Sequence, residues 1–245
     1  MYQYYLFDLY GTLVDIQTNE KDRAVWEKLS IYYGYYSAHY TPEELQQCYL
    51  LEEQHLRKQA LDNSASKENV YPEIVLEYVF QTLFAKKGAE VPLEIAKQAG
   101  QLFRISSLQY IALYPNIPEM LVTLKEKQKK IYLLSNAQQI FTEYEMNYLD
   151  IRKYFDGILF SSDAGYMKPD IRFYQKAIEQ FGIQANEAIM IGNDYVCDIQ
   201  GAKAAGLDAF YVHTDISPAM PENLPEGTWM HNMDGNALLD RIPLK

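Results

Sequence analysis

An open α/β fold, a doubly wound parallel sheet interrupted by one inserted helical unit, is what this sequence predicts. Three observations carry it. An apolar run, Tyr4-Tyr5-Leu6-Phe7, stops abruptly at Asp8; residues 18–110 then show helical spacing with hardly any strand signal; and from Tyr114 short apolar runs alternate with helical periods, the signature of βαβ units. The first strand needs the later sheet as its partner. The core is therefore expected to be discontinuous, residues 1–17 with 111–245, and the insertion, residues 18–110, to form a lid over the strand ends.

Within the insertion, Thr41-Pro42-Glu43-Glu44 supplies a capping hydroxyl, proline at the first helical position and early acids, which predicts a helix running to about Asp62. Asp62-Asn63-Ser64-Ala65-Ser66 breaks it. Val75, Val79 and Leu83, with Leu76, Phe80 and Phe84, make one broad apolar face for a further helix that Gly88 stops. Another helix is expected from Pro92 to about Gln109, with Ile95, Ala99, Leu102, Phe103 and Ile105 inside. In the core, residues 131–134, 157–160, 188–191 and 209–212 read as strands, and 118–127, 139–148, 171–181 and 196–205 as the helices between them.

Composition bounds the function. The 245 residues are 48% hydrophobic, enough for a sizeable core, and 33 acidic against 22 basic residues give a net charge of −11. That balance argues against a nucleic-acid partner, which needs clustered Lys and Arg. An anionic substrate would need local positive charge or a metal. Cys48 and Cys197 lie far apart with no CxxC or His-paired spacing, so neither zinc nor a disulfide is expected and a cytoplasmic location fits. With no leader pattern and no apolar run near the roughly 20 residues that span a bilayer, the chain is expected to be soluble and unprocessed, with no membrane partner. The 22 tyrosines read as amphipathic packing, ring inside and hydroxyl at the surface.

Four strand ends carry the chemistry. In an open parallel sheet reactive groups gather outside the carboxyl ends of the strands, which makes Asp8 a candidate nucleophile. Leu133-Leu134-Ser135-Asn136 releases a second strand into a hydroxyl and an amide that can hold oxyanions. In Met167-Lys168-Pro169-Asp170, proline biases Lys168 to an extended backbone, Asp170 is placed to cap the next helix, and the ammonium can neutralise crowding negative charge. Gly192-Asn193-Asp194, with Asp198 further on, offers hard oxygen ligands suited to Mg²⁺.

The set Asp8-x-x-x-Thr12, Ser135, Lys168-Pro169 and Gly192-Asn193-Asp194-x-x-x-Asp198, in this order and each behind its own strand, resembles the haloacid dehalogenase-like hydrolase superfamily. The resemblance implies a Rossmann-like core, with the insertion as a small α-helical cap domain. It also implies that Asp8 attacks substrate covalently, that Thr12, Ser135 and Asn136 bind oxygens or orient Asp8, and that Lys168 offsets charge. Mg²⁺ would be held by Asp8, the Tyr10 carbonyl and either Asn193 or Asp194, around a small anionic substrate.

One position departs from the family's phosphatases, which usually carry a second aspartate two residues after the nucleophile as general acid and base. This chain has Tyr10, and Phe7-Asp8-Leu9-Tyr10-Gly11-Thr12-Leu13 is similar to the first motif of L-2-haloacid dehalogenases, whose halide leaves without a proton. The fourth motif points the other way, because an extra carboxylate near Asp8 calls for a cation between them. The expected activity is Mg²⁺-dependent hydrolysis of a small phosphorylated metabolite through an aspartyl-enzyme intermediate. Its alternatives are a metal-free 2-haloacid dehalogenase, with Arg23, Arg57 or Arg104 holding substrate, and a catalytically weak binding module of the same fold.

Overall fold

Tyr5 and Phe7 of strand β1 (Tyr4–Phe7) face one layer and Leu6 the other, as the two-residue period of a strand requires. All three are buried, so β1 is covered on both sides. The computed structural model describes residues 2–63 and 70–242; the expected break at Ser64-Ala65-Ser66 lies outside them. After β1 come β2 (Val14–Thr18), then α1 (Arg23–Tyr35), α2 (Pro42–Asp62), α3 (Leu76–Ala85) and α4 (Leu93–Ser107). The chain returns through β3 (Leu108–Leu113), α5 (Ile117–Glu126), β4 (Lys130–Ser135), α6 (Gln139–Tyr148), β5 (Gly157–Phe160), α7 (Ser161–Ala164) and α8 (Ile171–Phe181). It ends with β6 (Ala188–Gly192), a π-helical turn at Tyr195–Gln200, α9 (Gly201–Ala204), β7 (Asp208–His213), β8 (Trp229–His231) and α10 (Gly235–Arg241).

Among the described residues the main sheet has six strands in the order β5-β4-β1-β6-β7-β8, and every pairing in it is parallel. The fold is the doubly wound Rossmann-like α/β sheet. Phe7 sits opposite both Leu133 and Ile191, so β1 lies between the two halves of the sheet, where strand order reverses and ligands bind. Ile117, Met120, Leu121 and Leu124 of α5, with Met146 of α6, cover one face. Phe173, Tyr174 and Ala177 of α8, with Ala202 of α9, cover the other. A separate cluster joins α1 to α4 through Val25, Trp26, Leu29, Tyr33, Val79, Phe80, Phe84 and Phe103, and Ile140 of α6 reaches into it.

Several expectations are corrected. The helix expected to reach Gln109 ends at Ser107, and β3 pairs antiparallel with β2, a ribbon that residues 14–18 and 108–113 form only by meeting each other. Ile105 is 71% exposed rather than inside, because it lies two residues, about 200°, round the helix from buried Phe103. The tyrosine reading also changes: Tyr33 and Tyr174 are fully buried, and their hydroxyls donate inward to the carbonyls of Phe80 and Cys197. β8 and α10 extend the core beyond the strands read from sequence; three residues are too few to show a period.

Candidate active site

The loop after β1 is tightly bound. Leu9 O accepts the N–H groups of Thr12, Leu13 and Val14, and Gly11 turns at φ +81°. A Cβ on Gly11 would lie 2.1 Å from Asn193 Nδ2, so glycine is required both for the turn and for the close approach of the two loops. Asp8 leaves β1 with its backbone N–H on Ile191 O at 3.0 Å. Its side chain meets groups from two other strand ends. Ser135 Oγ donates to Asp8 Oδ1 at 3.1 Å, and Lys168 Nζ donates to the same oxygen at 2.7 Å. Both interactions fall on Oδ1 and neither on Oδ2.

Lys168 is buried, and its three ammonium protons are matched by Asp8 Oδ1, Asp198 Oδ1 at 2.6 Å and Leu134 O at 2.8 Å. Burial works against the ammonium, but Asp198 and Asp8 beside it outweigh that and hold its pKa above the ordinary lysine value. Burial also pushes the Asp198 carboxyl up, with Asp8 adding to the rise and Lys168 opposing it. Asn136 grips the Lys168 backbone from both sides: its Oδ1 accepts Lys168 N–H at 2.7 Å and its Nδ2 donates to Lys168 O at 3.0 Å. The Lys168–Pro169 peptide bond is cis.

A cavity of ≈ 240 Å³ is lined by Asp8, Tyr10, Ser135, Asn136, Lys168, Asn193, Asp194, Cys197, Asp198, Ile216 and Pro218. Thr12 does not line it. That residue is fully buried, and its hydroxyl donates to Asn193 Oδ1 at 3.3 Å, which braces the two loops instead of facing a ligand. Asn136 borders the cavity but both ends of its amide are spent on Lys168, so it positions the ammonium. Asp194 Oδ1 caps the π-helical turn, accepting from Val196 N at 3.0 Å and Cys197 N at 2.9 Å.

The Tyr10 side chain runs to α6. Its hydroxyl donates to Glu145 Oε2 and lies 3.0 Å from Thr142 Oγ1, while Arg104 of α4 binds Glu145 Oε1 at 2.6 Å and stands 5.4 Å over the Tyr10 ring. Burial, with Glu145 close by and Arg104 opposing, holds the phenol well above its ordinary pKa. Of the other arginines named from sequence, Arg23 pairs with Glu27 and Glu43, and Arg57 with Glu53 and Glu73. None of the three lines the cavity.

Sequence reasoning named Asp198 in the fourth motif without giving it a role of its own, and left Cys197, Ile216 and Pro218 out of the site. For Asp198 a signal existed in Gly192, where a Cβ would fall 2.3 Å from the Asp198 carboxylate. For Ile216 and Pro218 it lay in Thr214-Asp215-Ile216-Ser217-Pro218, a fifth strand end rich in turn formers. Thr214 Oγ1 donates to Gly11 O at 2.8 Å, and Ser217 Oγ accepts Thr214 N–H at 2.9 Å and Asn193 Nδ2 at 3.4 Å, so this loop is tied to the floor of the site.

The family model of the haloacid dehalogenase-like hydrolases matches residues 2–206. The chain belongs to this family. Among curated relatives, a glyceraldehyde 3-phosphate phosphatase of Methanothermobacter thermautotrophicus is 31% identical over 106 residues, 43% of this chain and 47% of that protein. A phosphoserine phosphatase of Thermus thermophilus is 27% identical over 150 residues, 61% of this chain and 59% of that one. The chain thus spans between about half and three-fifths of the length of these relatives. In fold it is similar to a 2-haloacid dehalogenase of Pseudomonas syringae, with TM-score 0.66, 19% identity and 98% of both chains covered. A phosphatase of the family from Thermococcus onnurineus superposes with TM-score 0.56 at 18% identity over 97% of this chain and 96% of that one. No helix among the described residues is long and apolar enough to cross a membrane.

Proposed function

We propose that this hydrolase is a Mg²⁺-dependent phosphatase acting on a small phosphorylated metabolite through an aspartyl-phosphate on Asp8. The observation that carries the reading is charge. Among the described residues, Asp8, Asp194 and Asp198 border one cavity against the ammonium of Lys168, an excess of negative charge that an anionic substrate could enter only with a cation present. The donors suit Mg²⁺: they are hard oxygens, and among the described residues no backbone hydrogen bond ends on the Tyr10 carbonyl. Asp8, that carbonyl and either the uncapping oxygen of Asp194 or the Asn193 amide oxygen would hold the ion. When bound, it supplies positive charge to the phosphoryl oxygens.

The protein's own groups divide the remaining work. Ser135 and Lys168 fix the Asp8 carboxylate by one oxygen, and the other would attack phosphorus. Lys168, held by Asn136, also offsets charge as nucleophile and phosphoryl group approach. Residues 18–110, built on α1 to α4, would act as the cap domain over a core of residues 1–17 and 111–245. The phosphatase names of the curated relatives support the same reading.

The dehalogenase alternative keeps the support of Tyr10 in the first motif. Against it stands the pairing of Arg23, Arg57 and Arg104 with glutamates, and no arginine is among the described residues that line the cavity, where a haloacid carboxylate would need one. One pair of assays separates them: phosphate release from 4-nitrophenyl phosphate with Mg²⁺, and halide release from 2-chloropropionate with chelator. Phosphate release that chelation stops is expected. Halide release indifferent to chelator would end the phosphatase reading, and binding of beryllium fluoride or vanadate without turnover on any substrate would favour a binding module.

A further inference from the structure

We propose that the site is built for phosphoryl donors whose leaving oxygen departs without a proton, acyl and aryl phosphates in preference to alkyl phosphates. This rests on the phosphatase reading above and narrows it to a substrate class. The argument begins at Tyr10, two residues beyond Asp8. Its hydroxyl carries one proton, and that proton is donated to Glu145 on α6. Arg104 clamps Glu145 through Nε at 2.6 Å and Nη2 at 3.4 Å and packs 4.7 Å from the Phe141 ring, so the tyrosine is anchored from behind. Arg104 and Glu145 line a different cavity, of ≈ 370 Å³, between α4, β3 and α6. The phenol is directed away from the reacting atoms.

The other polar groups bordering Asp8 are committed as well. Ser135 donates to Asp8, and the Lys168 ammonium is matched to Asp8, Asp198 and Leu134 O. Asp194 and Asp198 accept backbone N–H groups, from Val196 and Cys197 and from Asp194 respectively. Cys197 offers only a thiol, a weak hydrogen-bond donor. Both oxygens of Asp198 accept, Oδ1 from Lys168 and Oδ2 from the Asp194 N–H, so among the described residues lining the cavity no carboxyl is placed to donate to a leaving oxygen. Ile216 and Pro218 complete the wall with apolar surface that suits an acyl or aryl group better than a polyol.

The chemistry balances without an acid. Asp8 Oδ2 bonds to phosphorus while the bond from phosphorus to the leaving oxygen breaks, and the electron pair departs on a carboxylate or phenolate that needs no proton. Water then attacks the phosphorus of the aspartyl-phosphate, the Asp8 carboxylate is released, and the proton of water goes to phosphate or solvent. An alkoxide leaving group forfeits the roughly 10²–10⁴-fold that general-acid catalysis contributes.

The test is a substrate series on the wild-type protein with Mg²⁺: acetyl phosphate, 2,4-dinitrophenyl, 4-nitrophenyl and phenyl phosphates, and glycerol phosphate. kcat/KM is expected to fall on the order of tenfold per unit of leaving-group pKa, the behaviour of an oxygen that leaves with nearly its full charge. Glycerol phosphate cleaved within a few-fold of 4-nitrophenyl phosphate would overturn the proposal while leaving the phosphatase reading intact. Phosphate release from none of the five would instead overturn that reading. Tyr10→Asp, which supplies a carboxyl where the phenol turns away, should flatten the series. A folded Tyr10→Asp protein with an unchanged steep slope would remove the assignment to this position, and if the variant does not fold the wild-type series decides alone.

Discussion

Lys168 shows how much one side chain does here. It is a buried ammonium whose three donors meet two carboxylates and a carbonyl, so it holds Asp8 in place and keeps Asp8 and Asp198 from repelling each other. Lys168→Met would leave two buried carboxylates without their counter-charge. Removing one partner from a buried pair costs about 3–5 kcal/mol. The expected result is a stability loss of that size in urea unfolding together with loss of turnover, and a variant as stable as the parent would show that Asp8 and Asp198 do not depend on this ammonium. Asp8 and Ser135 could be named from sequence because each ends an apolar run, and Lys168 because Met167-Lys168-Pro169-Asp170 lies a short loop beyond one; a parallel sheet brings such ends together. The jobs of Thr12, Asn136 and Tyr10 could not, since their partners Asn193, Lys168 and Glu145 are chosen by how loops and helices cross in space.

At the scale of elements, the segment that carries Lys168 is fastened by the start of α8. Asp170 caps that helix, accepting from Arg172 N at 3.0 Å, Arg172 Nε at 2.9 Å and Tyr71 N at 3.2 Å. Burial alone would raise its pKa, but the Arg172 guanidinium and the two backbone N–H groups outweigh that and hold it below the ordinary carboxylate value. Because the folded value is the lower one, the contribution is complete above the unfolded value of about 3.9 and fades as pH falls through the folded value beneath it. Asp170→Ala should therefore cost about 1 kcal/mol at neutral pH, the usual worth of such a cap. The gap in urea midpoint between parent and variant should stay constant from pH 7 to about 5 and close below about 4; a gap of one size throughout would sever the capping carboxylate from the effect. Sequence reading reached this cap because Pro169-Asp170 precedes a clear helical period. It missed the β2–β3 ribbon, whose halves lie some 90 residues apart and whose β3 half continues straight from the helical period of α4.

Across the whole molecule, the Tyr10–Glu145–Arg104 chain joins the loop of Asp8 to α6 of the core and then to α4 of the helical insertion. Both members of the ion pair are only 11% exposed at the side chain, and Arg104 stands between the rings of Tyr10 and Phe141. Burial opposes the Arg104 charge, yet Glu145 and Tyr10 hold its pKa above the ordinary value, so the guanidinium stays charged. A second connection runs along residues 71–76: Tyr71 O accepts Met167 N at 2.8 Å, and Gln138 bonds Leu76 N and Ile74 O. If the insertion is held to the core through Arg104 and Glu145, then Arg104→Met and Glu145→Gln should each be costly, because each leaves the other partner buried without its counter-charge. The double variant removes both charges together. It should lose less than the sum of the two, with a coupling of about 0.5–3 kcal/mol in a cycle of urea unfolding measurements. Losses that simply add would mean that the two residues stabilise their own helices independently, and the joint between insertion and core would then rest on residues 71–76.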